Sequence, residues 1–450
     1  MNLIRSISGI RGIIGENFSP SIASEYVKSF CSLQSKNNPL IIARDTRNKG
    51  YEIAESIKKT ITSLGIDVYD IDIAPTPVIQ HLTKKLNTSG GIMITASHNP
   101  EEWNGLKFID SDGCFINEKK NKELFKNFDE KQFIKNSKKQ GRVYNKKEDI
   151  SIFINDLLNL KFIDVERIKK KRFKVIVDST NGANYKLLPK ILRKLNCDVV
   201  ELYCNKSGKF NRNPEPLPEN LQDLSELVLK NNADIGFASD PDGDRLSIVN
   251  DKGQAIGEER TLVLCSDDYY NETQSNSPLV TNLSSTMCLD YIAKTHSVDI
   301  FRSAVGEANV IKMMQEKNCS IGGEGNGGVI VKDLHLGRDS LIAATMILNK
   351  LSKSKDSIST IDNNFPKYYM IKNKISIPDI DLDSFYKSLI NKYSDATADI
   401  RDGLKLTWID KWIHIRSSNT EPIIRIIGES TKQDIIQSLI FEISNHLNQI

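Results

Sequence analysis

The first third of the chain alternates short apolar runs with longer segments whose apolar residues recur every three or four positions. The apolar runs read PLIIARD, IDVYDIDIAP and GGIMITAS, and the periodic segments between them read NKGYEIAESIKKTITSLG and VIQHLTKKLN. These patterns are typical of strands and of amphipathic helices, respectively. The order predicts a parallel sheet with crossover helices, which places ligand-binding loops at the carboxyl ends of the strands.

Two further series of the same kind follow, and the pattern changes near Lys367. There TWIDKWIHIRSS and EPIIRIIGES alternate like antiparallel strands, before a closing helix in KQDIIQSLIFEISNHLNQ. We predict an α/β protein of four domains: three related α/β units with mixed, largely parallel sheets, and a C-terminal α+β domain. The predicted boundaries are 1–149, 150–251, 252–364 and 365–450.

The composition limits the classes of binding partner and the cellular compartment that we predict for the protein. Among 450 residues, 61 Lys and Arg oppose 58 Asp and Glu, and no basic block is interleaved with aromatics, which argues against a nucleic-acid partner. The N-terminal stretch lacks a signal-peptide core, and no apolar run approaches the roughly 20 residues that span a bilayer. The seven cysteines are dispersed without a CxxC pair, so we expect them to be reduced. We predict a cytoplasmic protein with no membrane partner.

The segment TASHNP at 95–100 directly follows the apolar run GGIMI. Because Asn-Pro forces a turn, the hydroxyl of Ser97 should lie at the edge of the sheet. In an extended segment His98 would point to the opposite side, and a G-x-S-x-G elbow is missing, so a serine hydrolase is not indicated. The motif alone is equally compatible with a turn or a helix cap. Lys107, in WNGLKFID, is close enough in sequence to return to this loop, although alone it reads as a solvated lysine.

The segment DPDGDR at 240–245 also follows an apolar run, IGFAS. Its three carboxylates cannot all stay ionised near one another without a cation, and oxygen ligands on a short loop suit Mg²⁺. An EF-hand is excluded because that loop needs Gly at its sixth position and Glu at its twelfth. A solvated acidic turn is the alternative, against which Arg245 adds a group suited to phosphate. The candidate metal ligands are Asp240, Asp242 and Asp244.

Two more loops carry polar groups among small residues. GGEGNGG at 322–328 holds Glu324 and Asn326, which can bond vicinal hydroxyls of a sugar, and it lacks the features of a P-loop. RSSNTEPIIRI at 416–426 offers hydroxyls, an amide and arginines that suit a phosphate dianion. A mobile turn and a plain hairpin loop, respectively, are the alternatives. The phosphate candidates are Arg416, Ser418, Asn419, Thr420 and Arg425.

Together the four loops resemble those of the α-D-phosphohexomutase family, in order and spacing along essentially the whole chain, as do SGIRG, ARDTR and NPEPLPENL. The resemblance implies four domains around a central cleft. It implies that Ser97 carries a phosphoryl group and, with the three aspartates, holds one Mg²⁺ per active site. It also implies sugar contacts from Glu324 and Asn326. The other active-site candidates are Arg11, Lys107, His98 and Arg245, and Gly306 and Glu307 are further candidate substrate contacts.

The activity implied is that of an isomerase acting on a sugar phosphate, through a phosphoserine and a hexose 1,6-bisphosphate. GGEGNGG and SISGIRG are most similar to the phosphoglucosamine mutase branch, which favours glucosamine 6-phosphate and its 1-phosphate as substrates. Phosphomannomutase or phosphoglucomutase activity is the alternative; a metal-dependent phosphatase and a non-catalytic sugar-phosphate sensor are weaker ones. Many members read G-E-x-S-G-H, where this chain has Asn326 and Gly328 for the serine and histidine. The sequence is compatible with a monomer or a homodimer.

Overall fold

A computed structural model describes residues 3–35, 37–376, 381–417 and 423–447. The chain forms two compact units. The first comprises Met1–Ser275 and Asn326–Thr360, and the second comprises Asn276–Gly325 and Ile361–Ile450. The domain boundaries drawn from the sequence remain predictions.

Helices and strands alternate through the first 275 residues. The strands are β1 (Ile4–Ser6), β2 (Gly9–Ile13), β3 (Leu40–Arg44), β4 (Val68–Ile73), β5 (Gly90–Ile94), β6 (Trp103–Asp110), β7 (Val143–Asn145), β8 (Lys174–Asp178), β9 (Asp198–Leu202), β10 (Ile235–Ser239) and β11 (Leu246–Val249). The helices are α1 (Pro20–Ser32), α2 (Gly50–Ser63), α3 (Thr76–Lys85), α4 (Glu118–Asp129), α5 (Ile150–Leu158), α6 (Val165–Lys171), α7 (Leu187–Lys194), α8 (Gln222–Asn231) and α9 (Glu259–Thr273). Short 3₁₀ turns lie at Lys147–Asp149 and Pro218–Asn220.

The remaining elements continue the alternation and then change to a strand-rich pattern. The strands are β12 (Leu279–Asn282), β13 (Ile300–Ser303), β14 (Ile321–Glu324), β15 (Gly328–Val331), β16 (Tyr369–Ser376), β17 (Thr397–Asp399), β18 (Leu404–Thr407), β19 (Lys411–Ser417) and β20 (Ile423–Ser430). The helices are α10 (Cys288–Thr295), α11 (Glu307–Glu316), α12 (Ser340–Ser352), α13 (Ile358–Asn363), α14 (Leu382–Lys392) and α15 (Gln433–Leu447). None of the helices in the described ranges is long and apolar enough to cross a membrane.

The largest sheet of the first unit has the order β1-β2-β6-β5-β3-β4-β7. Strands β5, β3, β4 and β7 run parallel, whereas β6, β2 and β1 continue the sheet in antiparallel pairs. Every residue of β5 is buried, which explains why its sequence, GGIMI, is apolar without alternation. The carboxyl end of β5 therefore delivers residues 95–100 next to β6 and β2.

The second sheet of this unit has the order β11-β10-β8-β9. Strands β8, β9 and β10 are parallel. Residues 240–245, the acidic loop, follow β10, and β11 then returns antiparallel to β10. The paired residues Ser239 and Leu246 close the loop like the ends of a hairpin. A strand, not a helix, thus precedes the acidic loop.

The second unit contains a parallel arrangement and a separate antiparallel sheet. Strand β12 pairs in parallel with β13 and with β14. The antiparallel sheet has the order β16-β20-β19-β18-β17, and α14 and α15 supply core residues such as Phe385, Ile436 and Ile440 that pack with Ile413 and Ile426 of the sheet. These arrangements confirm the prediction of mixed, largely parallel sheets followed by a C-terminal α+β region.

A buried histidine of the second unit links the antiparallel sheet to the loop after β12. The Nδ1 atom of His414 accepts a hydrogen bond from Ser284 Oγ at 2.7 Å, and its Nε2 donates to the carbonyl oxygen of Asp402 at 2.6 Å. A carbonyl oxygen can only accept, so the ring proton is on Nε2. Burial lowers the pKa of His414 to about 4, helped by the charges of Lys405 and Arg416. The imidazole is therefore neutral at pH 7.

We expect the protein to lose stability as the pH falls from about 6.5 towards 4. The unfolded chain binds a proton at His414 throughout this window, whereas the folded chain does not, so acid favours the unfolded state. The contribution of His414 to stability is fully present above the unfolded pKa of about 6.5, and its loss reaches roughly 3 kcal/mol when the pH has fallen to about 4. Urea unfolding at pH 7 and pH 4.5 measures it. The pH slope should flatten in His414→Gln and persist in His296→Gln; equal slopes in wild type and His414→Gln would contradict the assignment.

Candidate active site

The turn after β5 begins at Ser97 itself. Ser97 has φ of 53°, in the left-handed region that non-glycine residues adopt only when their surroundings hold them there. The expectation of an extended segment at Ser97 and His98 is therefore wrong. The two side chains do not point apart, because the left-handed backbone brings Ser97 Oγ to 3.5 Å from His98 Nδ1.

The guanidinium of Arg47 holds this turn by its main chain. Arg47 is buried and follows β3, which pairs with β5. It donates hydrogen bonds to the carbonyl oxygens of Ser97, of Asn99 at 2.6 Å, of Pro100 at 2.5 Å and of Trp103 at 3.1 Å. Because a guanidinium is planar and carries its donors in a fixed fork, these bonds fix the path of the backbone around the serine.

The buried carboxylate of Asp45 holds both Arg47 and the strand end that precedes Ser97. Asp45 accepts hydrogen bonds from the Nε of Arg47 at 3.0 Å and from the hydroxyl of Thr95 at 2.6 Å. The oxygen of that hydroxyl in turn accepts from the backbone N–H of Ser97 at 2.9 Å. The two charges are fully buried at the side-chain level, so removing one partner would leave the other uncompensated. The sequence ARDTR thus supplies the support of the serine turn.

The three aspartates of the acidic loop lie together and out of solvent. Each of Asp240, Asp242 and Asp244 offers a carboxylate oxygen within 4.8 Å of those of the other two. All three residues are at most 1% exposed. The turn between them depends on Gly243, which has φ of 72° and lies so close to Asn184 that a Cβ atom would be 2.6 Å from its amide nitrogen.

One oxygen of each aspartate is held by hydrogen bonds. Asp240 Oδ1 accepts from the backbone N–H groups of Asp244 and Arg245, both at 3.1 Å. Asp242 Oδ2 accepts from Thr76 Oγ1 at 2.6 Å and Lys107 Nζ at 2.5 Å. Asp244 Oδ2 lies 2.7 Å from Arg338 Nη2 and 3.3 Å from Lys107 Nζ.

The other oxygen of each aspartate is buried and has no hydrogen-bond partner within the described ranges: Asp240 Oδ2, Asp242 Oδ1 and Asp244 Oδ1. Three buried, orphaned carboxylate oxygens in one cluster fit a hard divalent cation such as Mg²⁺. Burial, followed by the charges of Asp244 and Asp242, raises the pKa of Asp240 well above its ordinary value. Arg245 Nε lies 4.0 Å from Asp240 Oδ2 and, with Lys107, offsets this rise only in part. A bound cation would stabilise the ionised cluster further.

Cations surround this cluster and reach the serine turn. Although burial opposes its charge, the pKa of Lys107 is raised because Asp242 and Asp244 stabilise the ammonium. Lys107 lies on β6 opposite Met93 of β5, so the strand that precedes Ser97 adjoins the strand whose lysine binds the acidic loop.

Arg11, on β2, donates to the side-chain oxygen of Asn99 in the serine turn at 3.0 Å. Burial, opposed in part by Asp242, lowers the pKa of Arg11 to about 10, so it remains charged at neutral pH.

Arg245 lies 3.0 Å from Glu215 and 3.7 Å from Asp244 Oδ1. Burial, together with the charges of Arg245 and Arg11, lowers the pKa of His98 well below its ordinary value, so its ring is neutral. Thus Arg11, Lys107, His98 and Arg245 lie around one cluster.

The candidate sugar contacts of the second unit are also brought together. Glu324 ends β14 and is buried, and its Oε1 accepts hydrogen bonds from the side chain of Asn282 and from the backbone N–H of Gly306, both at 2.9 Å. Gly306 has φ of 120° and precedes Glu307, the first residue of α11, which is also buried. Asn326 belongs to the first unit, where its Oδ1 accepts from the N–H of Gly328 at 3.2 Å and holds the turn before β15.

The arginines of the predicted phosphate loop face each other across a hairpin. Arg416 of β19 pairs with Arg425 of β20, and Arg425 pairs on its other side with Lys374 of β16. Residues directly opposite in adjacent strands lie on one face, and like charges there repel. Asp402 Oδ1 lies 3.7 Å from Arg416 Nε and offsets part of this charge. A phosphate dianion is suited to the rest of the cationic row. The candidates Ser418, Asn419 and Thr420 lie outside the described residues.

Several residues of the site were not identified from the sequence. Arg47 and Asp45 occur in the quoted ARDTR segment without an assigned role, and Lys374 lies in an unremarkable polar strand. Thr76 and Arg338 reach the acidic loop from distant parts of the chain. The one local signal for Arg338 is its place in LGRDS, immediately before the cap of α12.

Similarity to known proteins agrees with this arrangement. Residues 3–135, 151–253 and 258–369 match alpha/beta/alpha domains I, II and III, respectively, of phosphoglucomutase/phosphomannomutase. A phosphoglucomutase/phosphomannomutase of Thermococcus kodakarensis is 35% identical over 437 residues, covering 95% of this chain and 94% of that protein. The chain belongs to the phosphoglucomutase/phosphomannomutase family. Enzymes of this family are phosphohexomutases, isomerases that transfer a phosphoryl group within a sugar phosphate, and so is this protein.

Two further similarities concern the substrate branch and the fold. A phosphoglucosamine/phosphogalactosamine mutase of Sulfurisphaera tokodaii is 29% identical and covers 98% of each chain. The crystal structure of a phosphoglucomutase/phosphomannomutase family protein from Burkholderia thailandensis matches with a TM-score of 0.86 at 24% identity, covering 99% of this chain and 98% of that one. The Sulfurisphaera and Thermococcus proteins are therefore named for different sugar phosphates. The similarity to the Burkholderia structure concerns the fold.

Proposed function

We propose that this phosphohexomutase interconverts glucosamine 6-phosphate and glucosamine 1-phosphate through a phosphoserine at Ser97 and a bound hexose 1,6-bisphosphate. The observation that carries the proposal is the buried set of three orphaned aspartate oxygens, whose loop is bound by Lys107 at the sheet end where Ser97 is held. Such a set is suited to charge neutralisation at a transferring phosphoryl group, which is the main requirement of this chemistry.

In the first half-reaction the phosphoryl group passes from Ser97 Oγ to a free sugar hydroxyl. The bond from phosphorus to Ser97 Oγ breaks and the bond to the sugar oxygen forms, so Ser97 Oγ must gain a proton as the sugar hydroxyl loses one. Because Lys107 is held as an ammonium, its proposed role is to donate a proton to the departing Ser97 Oγ and to take up the proton of the hydroxyl. His98 is the alternative because it lies beside Ser97 Oγ. Arg11 and Arg245 contribute positive charge. The bisphosphate then reorients and returns its other phosphoryl group to Ser97.

The aspartates at 240, 242 and 244, with the phosphoryl oxygen on Ser97, are the proposed ligands of one Mg²⁺, which supplies neutralisation of the phosphoryl oxygens when bound. The cationic row of Lys374, Arg425 and Arg416 is the proposed site for the substrate phosphate that is not being transferred. Glu324, fixed by Asn282 and the N–H of Gly306, is the proposed sugar contact. A carboxylate there can pair with an amine as well as with hydroxyls.

The second candidate is a phosphoglucomutase or phosphomannomutase, favoured by the name of the 35% identical Thermococcus relative. Phosphorus NMR on matched panels of glucosamine, glucose and mannose 6-phosphates, each with Mg²⁺ and a trace of the bisphosphate, separates the candidates. We expect the highest kcat/KM with the amino sugar. A preference for glucose or mannose would reverse the substrate assignment, release of inorganic phosphate without isomer would indicate a phosphatase, and binding without turnover would indicate a sensor.

Changing Arg47 to lysine should lower kcat about 100-fold and change KM much less. Lysine keeps the charge beside Asp45 but cannot donate to the carbonyls of the serine turn as a fork, so Ser97 loses its fixed position. Steady-state kinetics measures the changes in kcat and in KM separately. The control is Arg167→Lys, which breaks the bonds of a partly buried arginine to Glu272 and Ser352 outside the site. Equal losses of kcat in both variants would show that the effect is general destabilisation.

A further inference from the structure

Gly328 is the first residue of β15, and the space next to it holds the side chain of Arg338. A Cβ atom built on Gly328 would lie 2.2 Å from Arg338 Cδ and 2.8 Å from its Cγ. These atoms belong to the middle of the arginine stem, so a side chain at 328 and the present course of Arg338 exclude each other.

The backbone around Arg338 has little freedom to yield. The N–H of Asp339 donates to the carbonyl of Val329 at 2.9 Å, and Ser340 Oγ donates to the carbonyl of Gly243 at 2.6 Å. The carboxylate of Asp339 also caps α12 by accepting from the N–H of Leu341 at 2.7 Å. Any atom added at 328 must therefore displace the arginine side chain and not its main chain.

The stem leads the Arg338 guanidinium into the acidic cluster. Its Nη2 lies 2.7 Å from Asp244 Oδ2, and both side chains are buried. Because this bond uses Oδ2, Asp244 Oδ1 is the oxygen left without a hydrogen bond in the described part of the chain, with Arg245 Nε at 3.7 Å, and it is the oxygen that the proposed metal would use. A charge-assisted bond in a buried site fixes orientation more firmly than one at the surface.

We infer that Arg338 is a positioning residue for Asp244, and that position 328 carries no side chain so that the arginine stem can pass through it. The inference rests on the proposed function, in which Asp244 is a metal ligand. It assigns a role to Arg338, which sequence motifs alone do not mark, and it gives a physical reason for the glycine. A side chain at 328 and an arginine at 338 are alternatives, not independent features.

A double-mutant cycle tests the coupling. At saturating Mg²⁺ we expect Gly328→Ala and Arg338→Ala each to lower kcat about 30-fold with little change in KM, and the double variant to be about as active as Arg338→Ala alone. Arg338→Lys should recover part of the loss because it keeps a cation near Asp244. Gly50→Ala is the control, since its Cβ would meet only ordinary contacts. Additive losses, or an Arg338→Ala variant with wild-type kcat, would overturn the inference.

The free energy of unfolding of the same four proteins gives a second test, which does not depend on enzymatic activity. Gly328→Ala should destabilise the protein when Arg338 is present and have little effect when residue 338 is alanine. An equal cost in both backgrounds would mean that the added atom strains another neighbour, such as Asn326, and would overturn the pairing. If wild type fails to isomerise any sugar phosphate, the proposed function fails, and coupling in the unfolding data would still establish the steric pair.

Discussion

Replacing Ser97 with alanine should abolish isomerisation, with a loss in turnover on the order of 10⁴-fold or more. Without the hydroxyl there is no oxygen to carry the phosphoryl group, so neither half-reaction can begin, whatever the sugar. Because the turn is held through main-chain atoms by Arg47, the alanine variant should keep the fold and the cation cluster. Coupled assays of 1-phosphate formation measure the loss.

Two measurements separate this result from a general defect. Intact-mass analysis after incubation with bisphosphate should find one phosphoryl group on wild type and none on Ser97→Ala. Ser151→Ala, which removes an exposed hydroxyl bonded to the carbonyl of Glu148, should behave as wild type in both assays. Normal turnover by Ser97→Ala would refute the phosphoserine assignment.

Changing Asp240 to asparagine should have the second largest effect, lowering turnover by about 10³-fold. The change removes one of three clustered carboxylates that are the proposed ligands of Mg²⁺. Without added metal, however, the variant should be more stable than wild type by about 1–2 kcal/mol, because it replaces a buried carboxylate that is repelled by Asp244 and Asp242 and has one oxygen without a hydrogen bond. Activity and metal-free stability therefore change in opposite directions.

Thermal unfolding with and without Mg²⁺ measures the second part of this prediction. Saturating Mg²⁺ should raise the melting temperature of wild type and have little effect on Asp240→Asn, because a ligand stabilises only the state that binds it. Asp299→Asn, an exposed aspartate in the second unit, should respond to Mg²⁺ as wild type does. A variant that responds fully to Mg²⁺ would remove Asp240 from the ligand set.

The alternating strands and helices could be predicted because each obeys a local rule. The buried strand β5 reads GGIMI, and the polar loops follow the carboxyl ends of β5 and β10, as parallel sheets require. Residues Asp240, Asp242 and Asp244 were recognised together because they lie within one short segment. Their mutual approach within 4.8 Å agrees with that hypothesis.

What could not be predicted depends on contacts between distant segments. The left-handed φ of Ser97 arises from bonds to Arg47, 50 residues earlier, and no local pattern distinguishes this serine from one in an extended strand. Arg338 reaches Asp244 across 94 residues, through space that exists only because Gly328 has no side chain. Composition and periodicity carry no information about such pairs.

The Arg47 guanidinium binds the serine turn through hydrogen bonds to main-chain carbonyl oxygens, which every amino acid possesses, and not through bonds to the side chains of the turn. If Ser97 carries the proposed phosphoryl group, we expect the path of the turn to be the same with and without it, because none of these bonds involves the serine hydroxyl. The same peptide scaffold would then meet an incoming monophosphate and a departing one, and the change of charge at Ser97 should require no refolding of this loop.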